Sequence, residues 1–153
     1  MDFVITGGAG FIGSHIAEQL VNTDHNVTVI DNLSNGKEGN LNKIINKIKF
    51  VNGDIRDFDL LKNTLKNMDG VFHQAALASV QESFSKEQEY FDVNVKGTEN
   101  ILKLAREFNF KVVYASSSSI YGNPEKIPIE ENDQKNPINP YAITKLDDEK
   151  LAI

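Results

Sequence analysis

Short apolar runs and longer amphipathic stretches alternate along the chain from end to end. Phe3 to Thr6 is a brief apolar run of strand type. Phe11 to Asn22 follows with Ile12, Ile16 and Leu20 at i, i+4 and i+8, which is one face of a helix. Val27-Thr28-Val29-Ile30 reads as a second strand. Asn40 to Lys47 is predicted helical, because Leu41, Ile44, Ile45 and Ile48 fall at helical spacing. Phe50-Val51 lies in a third strand. Asp57 to Lys66 is a helix with Asp57 as its N-cap, and Val71-Phe72-His73 is a fourth strand. The spacing predicts a longer helix from about Gln88 to Phe108, with Tyr90, Val93, Gly97, Ile101, Leu104 and Phe108 on its apolar face. Lys111 to Ala115 is the fifth strand. A polar loop carrying Pro124, Pro128 and Pro137 comes next, and a last helix starts near Pro140. Repeated βα units with no internal sequence repeat predict an α/β fold. Its form is a Rossmann-type doubly wound parallel sheet in the order 3-2-1-4-5.

A chain of 153 residues suits one domain, so residues 1–153 are read as a single nucleotide-binding unit. The net charge of −6 with no long basic run argues against nucleic acid as a partner, since a polyphosphate would be repelled. With no cysteine, disulfides and thiolate metal sites are excluded. His15, His25 and His73 are scattered without ligand-like spacing, so no metal is expected. No apolar run reaches the length of a membrane span. Asp2 to Thr6 already reads as strand, which leaves no room for a signal peptide and gives a cytoplasmic protein as the expectation. Leu146 to Ile153 is still helix-like, and no Gly, Asn or Pro stops it. The expectation is a chain cut inside a helix, with Leu146, Leu151 and Ile153 exposed by the cut.

Gly7, Gly10 and Gly13 sit between the first strand and the first helix. Glycines so spaced suit a tight turn, close backbone approach to a pyrophosphate and close helix–strand packing. The helix N-terminus adds unpaired N–H groups and a partial positive charge. A glycine cluster alone marks only a turn; the strand–turn–helix context makes it a phosphate loop. Asp31 ends the second strand, about 24 residues after Gly7, where a dinucleotide fold places its ribose acid. A carboxylate there accepts from both ribose hydroxyls and repels a 2′-phosphate, favouring NAD over NADP. Asp54 and Ile55 follow the third strand at the adenine position, and Ala75 and Ala76 follow the fourth, where small side chains let a cofactor pass.

Tyr141 and Lys145 are four apart on the last helix and so share a face. Ser117 lies just past the fifth strand. A tyrosine phenol is ordinarily too weak an acid to serve as a base at neutral pH. A nearby ammonium and a positive nicotinamide ring would favour its phenolate. Tyr141 could then take the proton of a sugar hydroxyl while Ser117 holds the same oxygen. Tyr-x-x-x-Lys alone occurs by chance in many helices. Its place after the glycine loop, Asp31 and Ser117 gives it weight.

Thr6-Gly7-Gly8-Ala9-Gly10-Phe11-Ile12-Gly13-Ser14-His15 resembles the opening of the extended short-chain dehydrogenases/reductases. So do Asp31-Asn32-Leu33-Ser34, His73-Gln74-Ala75-Ala76, Asn94-Val95-Lys96-Gly97-Thr98, Tyr114 to Gly122 and Pro140-Tyr141-Ala142-Ile143-Thr144-Lys145. The resemblance covers essentially the whole chain. It implies that Phe11 and Ile12; Asp31, Asn32, Leu33, Ser34, Asn35 and Gly36; Asp54 and Ile55; Gln74, Ala75, Ala76, Leu77 and Ala78; and Asn94, Tyr141 and Lys145 line an NAD site. It also places the active-site hydroxyl at Ser117. Within the family, dehydratases carry an acidic pair after the catalytic hydroxyl residue, where this chain has Ser118 and Ser119. That resembles the nucleotide-sugar 4-epimerases, and implies interconversion of UDP-glucose and UDP-galactose through a transient 4-keto sugar, as in galactose metabolism. A departure is Ala78, where some 4-epimerases carry a lysine. Epimerases of UDP-N-acetylhexosamine or UDP-uronate, a dehydratase, and a non-catalytic NAD-binding module remain alternatives. Family members are roughly twice this length. The resemblance therefore implies a separate C-terminal sugar-nucleotide domain, and a homodimer formed through the long helix after the fourth strand and the Tyr-x-x-x-Lys helix.

Overall fold

The structure, a computed structural model, describes residues 1–152. Those residues form two compact units. The first comprises Met1–Ala75 and Asn100–Ala115; the second comprises Ala76–Glu99 and the chain from Ser116 onward.

The first unit is built on five parallel strands: β1 (Asp2–Thr6), β2 (Asn26–Asp31), β3 (Ile48–Asn52), β4 (Gly70–His73) and β5 (Lys111–Tyr114). Their order is β3-β2-β1-β4-β5, as the βα pattern predicts. Register pairs Ile5 with Val29 and Phe72, and Thr6 with Ile30 and His73. Side chains alternate across a strand. Ile5, Val27 and Val29 therefore share one face, where they pack with Ala9 of the loop after β1, with Ala17 of helix α1 (Phe11–Asn22) and with Leu41 and Ile44. Helix α2 (Phe58–Leu65) starts where the sequence places it, with the Asp57 carboxylate accepting from Leu60 N at 3.0 Å. At the sheet edge, Val113 of β5 is 54% exposed.

The segment between β2 and β3 departs from its sequence reading. Instead of a helix over Asn40 to Lys47 there are two short 3-10 turns, Glu38–Leu41 and Ile45–Lys47. They are closed by i→i+3 bonds from Asn42 N to Gly39 O and from Lys47 N to Ile44 O. Gly39, Asn40, Asn42 and Asn46 are poor helix formers. Leu41 and Ile44 nevertheless reach the core, so the apolar spacing reported burial rather than helix.

In the second unit, α3 (Val80–Ser83) and α4 (Glu87–Tyr90) precede a π-helical stretch at Phe91–Lys96; α5 (Gly97–Phe108) follows in the chain, its residues from Asn100 belonging to the first unit. The single regular helix expected from Gln88 therefore contains a wider turn. Helix α6 (Pro140–Ala152) begins with Asn139 as its cap, accepting from Ala142 N at 2.8 Å, and with Pro140 in the first turn. Within this unit α6 packs against α3, α4, the π-helical stretch and the turn at Ser118–Tyr121. Leu146 and Leu151 are half-buried, contrary to the expected exposure. Ile153 lies outside the described residues, and Ile143 of α6 is 48% exposed. No helix among the described residues is long and apolar enough to cross a membrane.

Candidate active site

In the first unit the glycine loop is held by its own backbone and by the strand ends. Gly7 N donates to Ile30 O at 2.8 Å, and Gly10 N to Gly7 O at 3.1 Å. Gly7 has φ +69°, and a Cβ there would lie 2.7 Å from Ala75 N, so only glycine fits. A Cβ on Gly13 would strike the Gly7 carbonyl and stand 2.7 Å from Gly8 Cα. That is the close approach of α1 to the loop that the spacing implies. No side chain caps α1 and no acid occupies its first turn, which leaves its positive end available to an anion. Phe11 and Ile12, at 79% and 61% exposure, present apolar surface at the same helix start.

Asp31 is 7% exposed and spans the loop and the turn after β2. Its Oδ2 accepts from Ala9 N at 2.9 Å, and its Oδ1 from Leu33 N at 2.8 Å. The Ala9 carbonyl is fixed in turn by Lys37 N at 3.0 Å and by Asn40 Nδ2 at 2.8 Å. Asn32 Oδ1 accepts from Ser34 N, and its amide donates to Asp54 Oδ2 at 3.0 Å. Arg56 grips Asp54 with two bonds, Nε to Oδ1 at 2.9 Å and NH2 to Oδ2 at 2.7 Å. This guanidinium is the main reason the Asp54 carboxyl falls from 3.8 to about 2, against a burial effect that would raise it. Ile55 is buried, and its carbonyl accepts from Asn100 Nδ2 at 3.2 Å. At the end of β4, Thr6 Oγ1 contacts His73 Nδ1 at 2.6 Å, while Gln74 N donates to Thr6 O at 3.0 Å. Gly7, Gly10, Gly13, Asp31, Asn32, Leu33, Gly36, Asp54, Gln74 and Ala75 thus form one connected edge of the sheet.

These residues fit a dinucleotide. The loop leaves no room for a Cβ at Gly7 or Gly13, the helix end is uncapped, and a carboxylate terminates β2. The glycine loop and α1 would hold the pyrophosphate, Asp31 the adenosine ribose, and Asp54 with Ile55 the adenine.

In the second unit Asn94 is 1% exposed and joins three places. Its Oδ1 accepts from Leu77 N at 2.8 Å, and its Nδ2 donates to Leu77 O at 3.1 Å and to Thr144 Oγ1 at 3.0 Å. Thr144 Oγ1 donates to the Tyr141 carbonyl at 2.7 Å. The segment after β4, in which Ala76 and Leu77 are half-buried and Ala78 exposed, is therefore tied to the turn of α6 that carries Tyr141. Ser117 Oγ accepts from Ser119 N at 3.2 Å and meets Ser119 Oγ at 2.8 Å. Its partner among the described residues is this second hydroxyl rather than Tyr141. Glu149, one turn beyond Lys145, accepts from Ser116 Oγ at 2.6 Å and pairs with Lys135 Nζ at 2.7 Å. Burial would raise the Glu149 carboxyl, but Lys135 and Ser116 together hold it below the ordinary range. Lys145 is 4% exposed; burial, the larger effect, holds its ammonium below the ordinary lysine range, and Asp148 opposes that without reversing it.

Asn40, Arg56, Thr144, Asp148 and Glu149 were not found in the sequence. Glu149 was within reach, because residues 141, 145 and 149 repeat at i, i+4, i+8. Nothing in the local pattern signals Asn40, whose partner is 31 residues away.

A sequence profile of the NAD-dependent epimerase/dehydratase family matches residues 3–153. The UDP-glucose 4-epimerase of Halalkalibacterium halodurans is 42% identical over 154 residues, covering 99% of this chain and 45% of that protein. Among solved structures, the UDP-N-acetylglucosamine 4-epimerase of Methanobrevibacter ruminantium M1 superposes with a TM-score of 0.94 at 39% identity, over 99% of this chain and 49% of that one. A dTDP-glucose 4,6-dehydratase of Streptomyces venezuelae, with NAD bound, has a TM-score of 0.94 at 33% identity, covering 99% and 50%. The chain spans about half the length of the relatives it matches. The chain belongs to the NAD-dependent epimerase/dehydratase family.

Proposed function

We propose that this chain is the NAD-binding half of a nucleotide-sugar 4-epimerase that interconverts UDP-glucose and UDP-galactose through a transient 4-keto sugar. The observation that carries the reading is the pair of serines after Ser117. By the family resemblance, the dehydratases carry an acidic pair at positions 118 and 119, which serves as acid and base in the elimination of water. Those positions hold hydroxyls, and Ser119 Oγ is engaged with Ser117 Oγ at 2.8 Å. Bound NAD supplies a reversible two-electron acceptor at C4 of the sugar. Tyr141 takes the C4 hydroxyl proton and later returns it. Ser117 hydrogen-bonds the same oxygen and holds it in line, and Lys145 provides positive charge beside the phenolate. Asp31 holds the adenosine ribose and disfavours a 2′-phosphate. Asn94 keeps the turn bearing Tyr141 in place.

The remaining half, as long again in the relatives, would supply the sugar-nucleotide pocket. This chain alone is then an NAD binder with little turnover, because positioning of the hexose contributes several kcal/mol of the barrier reduction. Phe91 and Ile143, exposed on the second unit, suit the apolar centre of a homodimer. A panel of UDP-glucose, UDP-galactose, UDP-N-acetylglucosamine, UDP-glucuronate and dTDP-glucose, given to the whole protein with NAD, tests the reading. Interconversion of the first two is expected; accumulation of a 4-keto-6-deoxy sugar would assign it to the dehydratases instead.

A further inference from the structure

Helix α6 buries an ion pair whose acidic member, Asp148, has no part in the proposed reaction. Lys145 Nζ lies 3.4 Å from Asp148 Oδ2, one turn along the helix, and the two side chains are 5% and 0% exposed. Neither partner reaches water as surface lysines and aspartates do. A buried ammonium without a counter-charge sheds its proton, and a buried carboxylate without one takes a proton up. We propose that Asp148 is a positioning residue that keeps Lys145 a fixed ammonium within the packing of α6. The charge beside Tyr141 is then set by the helix rather than by access to solvent.

Other charged groups near α6 are occupied elsewhere. Glu149 reaches Lys145 electrostatically, but its oxygens bond Ser116 and Lys135. On α3, Glu82 pairs with Lys86 at 3.5 Å. Across the π-helical stretch, Asp92 pairs with Lys96 at 2.7 Å. On α4, Glu87 and Glu89 are exposed, and the Tyr90 hydroxyl donates to Ser79 O at 2.7 Å. In the turn at Ser118–Tyr121, the Tyr121 hydroxyl reaches Glu131 O. Asp148 is thus the carboxylate on the same buried face as Lys145. Burial lowers the Lys145 ammonium and Asp148 offsets part of that, so removing Asp148 should lower it further.

The importance of the pair for catalysis rests on the reading of Tyr141 and Lys145 given above; the pair itself does not. The test therefore reads Lys145 directly. The chain is labelled with 13Cε-lysine and with 13Cγ-aspartate, and Lys145→Arg identifies the Lys145 signal. At pH 7 the wild-type chain is expected to show a charged Lys145 and an ionised Asp148. Asp148→Asn, nearly isosteric, should lower the Lys145 titration midpoint, and Asp148→Glu should restore it in part, with circular dichroism confirming the fold. An unchanged midpoint in folded Asp148→Asn overturns the proposal. So does a neutral Lys145 or a protonated Asp148 at pH 7 in the wild type, an outcome that needs no variant to fold. A purely structural role for Asp148 would alter stability and leave the midpoint in place. Failure of the epimerase reading would show in turnover and would not touch this titration.

Discussion

Replacing Asp31 with alanine should cost both stability and cofactor selectivity, and the structure sets the size of the first effect. The Asp31 carboxylate accepts from Ala9 N at 2.9 Å and from Leu33 N at 2.8 Å, in a residue only 7% exposed. Hydrogen bonds to a charged group contribute roughly 1.5–3 kcal/mol each, and a buried N–H left without its acceptor bears the full desolvation cost. Ala9 is fully buried, so its N–H cannot turn to water. Leu33 has φ +58°, an uncommon conformation for leucine, and its bond to Asp31 helps hold it there. The two bonds together amount to about 3–6 kcal/mol. Small domains have about 5–15 kcal/mol in total, so Asp31→Ala should be marginally folded. Asp31→Asn keeps one acceptor oxygen and should lose roughly half as much. Urea unfolding followed by circular dichroism gives the stabilities. NAD and NADP titrations, corrected for the folded fraction, give the selectivity. NAD should bind at least roughly 30-fold more weakly from the loss of about 2 kcal/mol, while NADP should lose less because a repulsive charge is gone. An Asp31→Ala chain within about 0.5 kcal/mol of the wild type would refute the structural half of this reasoning. An unchanged NAD/NADP ratio would refute the other half.

In the whole protein, Tyr141→Phe should lower kcat by about 10²–10⁴-fold while NAD still binds, since the ring stays and only the proton acceptor goes; near-normal turnover would remove Tyr141 from the reaction. Gly13→Ala should disrupt the loop, because the new Cβ strikes the Gly7 carbonyl and stands 2.7 Å from Gly8 Cα, both backbone. The expected loss is about 2 kcal/mol or more, with NAD binding abolished, and wild-type unfolding together with wild-type affinity would count against the geometry. The Asp54 carboxyl lies at about 2 when folded against 3.8 ordinarily. Its contribution is therefore present above pH 4 and lost as pH falls through 2. The Arg56 side chain is 46% exposed, so solvent screening reduces the effect to about 1 kcal/mol. Arg56→Ala should flatten the acid limb of the stability curve between about pH 4 and pH 2, which equilibrium unfolding at fixed pH measures.

The strands and the regular helices were legible because their signals are local. Ile12, Ile16 and Leu20 mark one face of α1, and Asp57 caps α2 through a side chain three residues from its partner. The places of the glycine loop and of Asp31 in the fold were legible because the dinucleotide fold fixes their separation along the chain. The 3-10 turns after β2 were missed because Leu41 and Ile44 satisfy a helical period while Gly39 and the asparagines around them do not sustain one. The π-helical stretch at Phe91–Lys96 adds one residue to a turn and leaves the apolar pattern nearly unchanged, so period counting passes over it. Asn40, Thr144 and Ser116 act through partners distant in sequence, and only the folded chain shows them.

The carboxylate predicted to bind a ribose also fastens the loop predicted to bind the pyrophosphate. Asp31 takes the Ala9 N–H, and Asn40 and Lys37 take the carbonyl of the same residue. Ala9 is thus fixed from both sides by the chain's own groups, an arrangement that favours a preorganised loop. Two consequences follow from a single side chain serving both ends. Cofactor binding should add stability by mass action with little change in the loop backbone. Cofactor preference cannot be switched at this position without cost, because a neutral residue that admits a 2′-phosphate also releases one or both of the Ala9 and Leu33 amides. A variant with a second acceptor aimed at Ala9 N, placed from Gly36 or the turn around it, would be needed to separate the two roles. A Cβ at Gly36 would lie only 2.8 Å from Asp31 Oδ1, so the space for that acceptor exists only once Asp31 itself has been shortened.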